Sequence, residues 1–117
     1  MIIRGEQRAA YRKNCRRQFE ERTFRELRED LPEETADLSD AELRSRITEG
    51  ADQAEHYGIV FEDDVQLYIA MMVIHGRNFA RDPGSWAGRI VHDHDLSGEE
   101  KVNALLAEHE NRMEAAP

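Results

Sequence analysis

The chain has 117 residues, of which 39% are hydrophobic, 35% are charged and 7% are aromatic, and its formal net charge is −9. This length suits one compact domain that buries a core without disulfide or metal cross-links. The single cysteine excludes an internal disulfide, and no apolar run approaches the roughly 20 residues of a membrane-spanning helix, so we expect a cytoplasmic protein that is not bound to a membrane.

Charge is distributed unevenly along the chain. Residues 4–17 carry six basic residues and one acidic residue, whereas residues 18–64 carry sixteen acidic and five basic residues. An acidic body argues against nucleic-acid binding as the main function. The basic head, residues 4–17, is expected to pair with an acidic surface of this chain or of another one. A weaker alternative is that the basic head contacts an anion or a nucleic acid.

The first helix is predicted from about Arg4 to Leu31, where Pro32 ends it. Its apolar side chains form two stripes, one of Tyr11, Cys15 and Phe19 and the other of Phe24, Leu27 and Leu31. On a straight helix these stripes lie about 150° apart, so one face cannot bury both. Either the helix bends near Arg22–Thr23, or its first half (within residues 1–31) extends from the core toward a partner.

Four further helices are predicted, which makes the expected fold class an all-α, compact single-domain bundle of about five helices over residues 1–117. Two S-x-x-E motifs, Ser39–Glu42 and Ser97–Glu100, fit capping boxes at helix starts. The helix that follows Ser39 is expected to end before Gly58, which suits the left-handed residue after a helix. Residues 32–38 are interpreted as an acidic loop.

A helix over about residues 63–75 is predicted to be central and buried. The acidic run at residues 62–64 places negative charge where a helix begins, and residues 67–74 are apolar all round. A buried strand is the alternative on periodicity alone, but the length, the alanine and the methionines favour a helix. Residues 59–61 are a short apolar connector before it, and a short helix carrying Trp86 follows it.

The most ligand-like cluster is His92-Asp93-His94-Asp95, because imidazole and carboxylate groups bind zinc and other divalent metals. His92 and His94 are the candidate metal ligands. A dedicated site normally needs three or four convergent ligands, and no second His/Cys motif supplies the rest. The favoured interpretation is a solvated loop between two helices.

The other titratable residues are interpreted as structural. His56, His75 and His109 are isolated in the sequence, and Cys15 is expected to be a packed thiol although it lies among arginines. No glycine-rich phosphate loop, nucleophile elbow or zinc-protease motif occurs. We therefore expect neither an enzyme nor a cofactor.

A resemblance extends over residues 38–107. The residues that carry it are Ile47, Ala51, Tyr57-Gly58-Ile59, Val65, Tyr68-Ile69, His75-Gly76, Phe79, Asp82-Pro83, Trp86-Ala87, Ile90, Asp93, Leu96-Ser97 and Lys101. In this order they resemble a group of small, poorly characterised bacterial helical proteins, often encoded beside toxin or spike genes of type VI secretion systems. These anchors are packing and turn residues, so the resemblance implies a fold and a genomic setting without naming functional residues.

The sequence therefore predicts a non-enzymatic protein–protein interaction module: an adaptor, a chaperone or an immunity-like partner of a secreted bacterial protein. The partner is another protein or a second copy of the chain. Five residues of the first helix are the expected binding surface: Arg8, Tyr11, Arg12, Cys15 and Phe19. The alternative is a small metal-binding or metal-regulated protein that uses the loop at residues 92–95.

Overall fold

The computed structural model describes the backbone of residues 5–115 and the side chains of residues 15–114. Within that part of the chain all regular secondary structure is helical, which confirms the all-α prediction. The helices are α1 (Gly5–Asp30), α2 (Pro32–Thr35), α3 (Asp40–His56), α4 (Glu62–His75), α5 (Trp86–Val91) and α6 (Gly98–Ala115). None of the helices in the described residues has the length and apolar character needed to cross a membrane.

The sixth helix, beyond the five expected, is the single turn α2, which lies in the predicted acidic loop. Pro32 opens α2, and the Thr35 hydroxyl donates to the Leu31 carbonyl at 2.8 Å. Pro32 was interpreted only as the end of the preceding helix. The same residue also suits the first position of a new helix, because its missing N–H would have no partner there.

Contacts divide the chain into two compact units, one up to Ile47 and one from Thr48 onward. In the first unit α1 is helical without a break through Arg22–Thr23. Phe19, Thr23 and Leu27 are buried along one line of α1, with exposed fractions of 6%, 1% and 5%. Thr23 lies between the two predicted apolar stripes, so that Phe19 of one stripe and Leu27 of the other lie on the same buried line.

Phe24 of the second predicted stripe is only half-buried. The guanidinium carbons of Arg44 and Arg28 lie 4.1 Å and 5.5 Å from the centre of its ring. Such cation–π contacts cover an aromatic ring without an apolar core. Arg28 also donates to the Leu38 carbonyl and the Asp40 carboxylate, at 2.8 Å each, and so ties α1 to the start of α3.

In the second unit the end of α3 packs antiparallel to α4. The Tyr68 hydroxyl donates to the Gln53 side-chain oxygen at 2.8 Å, and Arg77, just after α4, pairs with Glu49 at 2.6 Å. The core that these helices share with α5 and α6 comprises Ala54, Ile59, Tyr68, Ala80, Ala87, Val91, Val102 and Leu105. Residues 68, 69, 71 and 72 of α4 are buried, but residues 67, 73 and 74 are half-buried, so α4 is not buried all round.

Both predicted capping boxes form. The Glu42 N–H donates to the Ser39 hydroxyl at 3.1 Å, and the Ser39 N–H donates to the Glu42 carboxylate at 3.3 Å. The corresponding distances between Ser97 and Glu100 are 3.1 Å and 2.8 Å. Ser85 caps α5 in the same manner, because its hydroxyl accepts from the Gly88 N–H at 2.9 Å.

The start of α6 lies against the connector that follows α3. Gly58 has a φ of 80°, as predicted for the left-handed residue after a helix. A Cβ atom at Gly98 would stand 2.2 Å from the Gly58 carbonyl oxygen, so the two backbones meet with no room for a side chain. Lys101 of α6 is 7% exposed, and its ammonium donates to the Tyr57 carbonyl at 3.0 Å.

Candidate functional site

The predicted binding surface on α1 is only partly within the described side chains. Arg8, Tyr11 and Arg12 lie outside them. Cys15 is a half-buried free thiol, and Phe19 belongs to the buried core of the chain. Phe19 is therefore largely covered, at 6% exposed, and the binding surface on α1 stays a prediction.

A small cavity of about 220 Å³ lies between α1 and α3 in the first unit. Its lining residues are Arg17, Glu20, Glu21, Arg44 and Ile47. The Arg44 guanidinium forms an ion pair with the Glu21 carboxylate across it. The lining carries two arginines and two glutamates, so its charges balance and favour neither a cation nor an anion.

The loop at residues 92–95 does not assemble a metal centre. The His92 Nδ1 atom lies 2.8 Å from the Gly88 carbonyl oxygen, and its ring meets the Tyr57 ring edge-on at 5.3 Å. The Asp93 carboxylate accepts from the Asp95 N–H at 2.9 Å, and His94 is exposed. Within the described residues no three His, Cys, Asp or Glu side chains converge as metal ligands. The metal-binding alternative stays a prediction.

The structure brings together two histidines that the sequence presents separately. The Nε2 atom of His75, at the end of α4, lies 2.9 Å from the Nδ1 atom of His109 on α6. The ring centres are 5.0 Å apart and the rings are nearly perpendicular, at 79°. A hydrogen bond in this geometry requires an N–H on one ring and a bare nitrogen on the other.

The histidine pair lies in an aromatic environment. The His75 ring stacks on Phe79 at 6.0 Å and meets the edge of Trp86 at 5.2 Å. The Arg112 guanidinium covers Trp86 at 4.8 Å from the ring centre. The second unit therefore places a proton-binding pair between α4, α5 and α6, with one permanent cation beside it.

This environment disfavours the charged form of His75. Partial burial is the largest cause, and the positive charges of His109 and Arg112 add to it, so the pKa of His75 is lowered from its ordinary value of 6.5. His75 is consequently held neutral at neutral pH. The pair can hold and exchange a proton, but Phe79 and Trp86 bring no nucleophile to it.

Some signals for this pair were present in the sequence. His75 follows the apolar run of α4, and His109 continues the apolar face formed by Val102 and Leu105 on α6. What the sequence did not supply was the packing of the two helices. Gly98 at the start of α6 lies against Gly58 and Ile59, shortly before α4 begins, and the histidines join the end of α4 to the second half of α6, so the two helices run in the same direction.

The most exposed apolar surface of the described chain lies before α4. Val60 and Phe61 are 72% and 61% exposed, whereas their neighbour Ile59 is 1% exposed. Phe61 is the N-cap residue of α4, with extended backbone dihedrals and no side-chain capping hydrogen bond. It occupies a position where Ser, Thr, Asp or Asn normally satisfies a free backbone N–H.

Acidic side chains adjoin this apolar pair. Glu62, Asp63 and Asp64 form the first turn of α4, and the first two are exposed. Negative charge at a helix start stabilises the helix, so these three carboxylates are explained by folding alone. An aromatic ring at the N-cap has no such explanation.

Comparisons with known proteins leave the function open. No protein-family model, no curated protein and no solved structure matches this chain. The function proposed for the chain therefore rests on the geometry of the described residues and on the resemblance seen in its sequence.

Proposed function

We propose that this chain is a non-catalytic protein-binding module, an adaptor, chaperone or immunity-like partner of a secreted bacterial protein. The observation that carries the proposal is the exposed ring of Phe61 at the N-cap of α4. A capping side chain at that position would add about 1 kcal/mol of stability. The chain forgoes this contribution and presents an aromatic ring to solvent, which is a feature expected of a binding surface.

A local structural role for Val60 and Phe61 is the competing explanation. A residue before an N-cap can pack on the fourth residue of the helix in a hydrophobic staple, which here would join Val60 to Val65. Val60 is 72% exposed, so little of its side chain is covered by such a contact. Most of the apolar area of Val60 and Phe61 is therefore exposed to solvent and does not pack against the start of α4.

The surface defines the chemistry of the partner. Aromatic and apolar side chains supply most of the binding energy at the centre of protein interfaces, and polar residues form the rim. Val60 and Phe61 would form the centre here, and the exposed Glu62 and Asp63 would form the rim. A matching segment carries an apolar side chain next to a lysine or an arginine.

Two features of the sequence support the kind of partner. The resemblance over residues 38–107 favours a toxin or spike protein of a type VI secretion system. The basic head, including Arg8, Tyr11 and Arg12, would add a second contact with an acidic patch of the partner or of another copy. Cys15 lies at the end of this stretch.

Affinity capture from the source cells tests the proposal with matched variants of the full chain. Phe61→Ser and Val60→Ser remove the apolar surface at one site. Met113→Ser is the control. Met113 lies on α6 and is 62% exposed, so this substitution removes a similarly exposed apolar side chain at another place. Bound proteins are identified by mass spectrometry, and light scattering measures self-association of each variant.

The expected result is one protein retained by the wild type and by Met113→Ser and lost by both connector variants. Identification of that protein as a secreted toxin or spike would support the narrower assignment. Identical captured proteins for all four chains, with identical masses in light scattering, would contradict the binding role of Val60 and Phe61.

A further inference from the structure

His75 and His109 connect the C-terminal end of α4 to α6 through a hydrogen bond between two ring nitrogens, 2.9 Å apart. Each imidazole has two nitrogens, and at least one of the two facing nitrogens must be free of a proton. The bond therefore survives when both rings are neutral and when one ring is protonated. It cannot survive when both rings are protonated, because two N–H groups would then face each other.

The charged groups around the pair oppose the second proton. On α6, Arg112 carries a permanent positive charge, and Arg112 and His109 both act to lower the pKa of His75. The connection before α5 and α5 itself contribute Phe79 and Trp86, which carry no charge. A carboxylate on α6, Glu108, is paired with the Arg112 Nε atom at 3.1 Å.

We propose that the His75–His109 pair is an acid-sensitive contact that holds α6 against the end of α4 and releases it when both rings are protonated. Release removes the hydrogen bond and leaves two positive rings beside Arg112. At the other end of α6, Gly98 meets Gly58 through backbone atoms, and the Glu100 carboxylate beside it has a pKa lowered below 4.5 by its hydrogen bonds to Ser97, outside the range in which histidines titrate. Acid should therefore loosen the histidine end of α6 first.

The direction of the pH effect follows from the lowered pKa of His75. In the unfolded chain this histidine takes up its proton near pH 6.5, whereas in the folded chain it does so at a lower pH. The contribution of His75 to the free energy of unfolding is therefore fully present above pH 6.5. It decreases as the pH falls to the pKa of His75 in the folded state, and below that pKa it does not change further. The folding equilibrium constant changes by up to tenfold per pH unit for one proton.

The fluorescence of Trp86 reports the protonation of His75, because Trp86 is the only tryptophan of the chain and its ring contacts His75. Indole fluorescence is quenched by a protonated imidazole in ring contact. Titration of the full chain from pH 8 to pH 5 should show a fluorescence transition with its midpoint below pH 6.5. Carboxylates titrate near pH 4 and lie outside this window.

Variants assign the transition to the pair. His75→Gln keeps a hydrogen-bonding amide but cannot titrate, so it should abolish the transition. In His109→Gln, His75 still titrates beside Trp86, so the transition should remain with a higher midpoint, because the repulsion from His109 is gone. His94→Gln is the control, since His94 is exposed in the loop at residues 92–95 and should leave the transition unchanged. Urea unfolding at pH 7.5 and pH 5.5 should show a full loss of stability for the wild type and for His94→Gln, a smaller loss for His109→Gln, and the smallest loss for His75→Gln.

Nuclear magnetic resonance of the wild-type imidazole protons measures the same event without a substitution. His75 should titrate with a midpoint below 6.5, and the amide signals of the second half of α6 should shift with it. A His75 midpoint at or above 6.5 would overturn the proposal. So would a fluorescence transition that persists in His75→Gln, or α6 signals that stay constant while His75 titrates.

Discussion

The starts of α6 and α4 are both formed beside residues 58–61, yet the chain builds them in opposite ways. At α6, Ser97 and Glu100 cap each other, and Gly98 lets the helix start lie directly on the Gly58 carbonyl. At α4, Phe61 stands at the N-cap without a capping bond and is 61% exposed. One start is optimised for stability, and the other leaves stability unused while it exposes an apolar surface. We attribute this difference to the binding role proposed for Val60 and Phe61.

Replacement of Gly98 by alanine tests the close contact at the start of α6 and should have the largest effect. The new Cβ atom would stand 2.2 Å from the Gly58 oxygen and 2.8 Å from the Ile59 Cα atom, and neither backbone group can move alone. We expect a loss of about 3 kcal/mol in the free energy of unfolding, measured with urea. Gly84→Ala is the control, because the nearest atom there is an exposed Asp82 side-chain oxygen at 3.3 Å. Equal stability of the two variants would refute the tight-contact assignment.

Removal of the cap at α6 should have a smaller effect. Ser97→Ala deletes the hydroxyl that accepts from the Glu100 N–H at 3.1 Å and leaves that donor to solvent. The expected loss in the free energy of unfolding is about 1 kcal/mol. Ser45→Ala, on the exposed surface of α3, should show no such loss. A Ser97 variant as stable as the wild type would show that the cap contributes nothing here.

Two substitutions of Phe61 test the start of α4, which lacks the cap that α6 has. Phe61→Ser and Phe61→Ala remove the same ring, but only serine can cap α4, and the extended backbone of residue 61 suits such a cap. We expect the serine variant to be about 1 kcal/mol more stable than the alanine variant in urea unfolding. It should also be no less stable than the wild type. If alanine and serine prove equivalent, the N-cap of α4 is not a site where stability was left unused.

Local features of this fold could be predicted from the sequence, because their signals lie within a few residues. The boxes at Ser39 and Ser97 and the left-handed Gly58 each depend on contacts over two to four positions. The single-turn α2 was missed because Pro32 can both end one helix and begin the next. The apolar connector at residues 59–61 was recognised, but three consecutive apolar residues do not show that Ile59 is buried while Phe61 is exposed.

Features that depend on how helices pack could not be predicted in the same way. His75 and His109 are 34 positions apart, and each alone is consistent with an ordinary partly buried histidine. Their pairing depends on how α4 and α6 pack against each other, which no local pattern specifies. On α1, the angle between the two apolar stripes left a bend and an extension toward a partner as alternatives, and the burial of Thr23 between the stripes was not predicted. Its methyl-bearing side chain is 1% exposed and fills the gap between them.

Acid titration of the two capping boxes should have the smallest effect of this set. Hydrogen bonds from the backbone and then the hydroxyl of the capping serine lower the pKa of Glu42 and of Glu100 below 4.5. Their stabilising contribution is therefore present above about pH 4.5 and is lost as the pH falls through the lowered folded pKa. A Glu42→Gln/Glu100→Gln double variant keeps the capping geometry but loses this dependence.

The urea midpoint of the double variant should fall less steeply between pH 5 and pH 3 than that of the wild type. Glu110→Gln, at an exposed position of α6, is the matched control and should follow the wild type. Because α4 has no capping box, its start contributes nothing to this difference. Parallel pH profiles for the double variant and the wild type would mean that the two boxes do not distinguish the starts of α3 and α6 from that of α4.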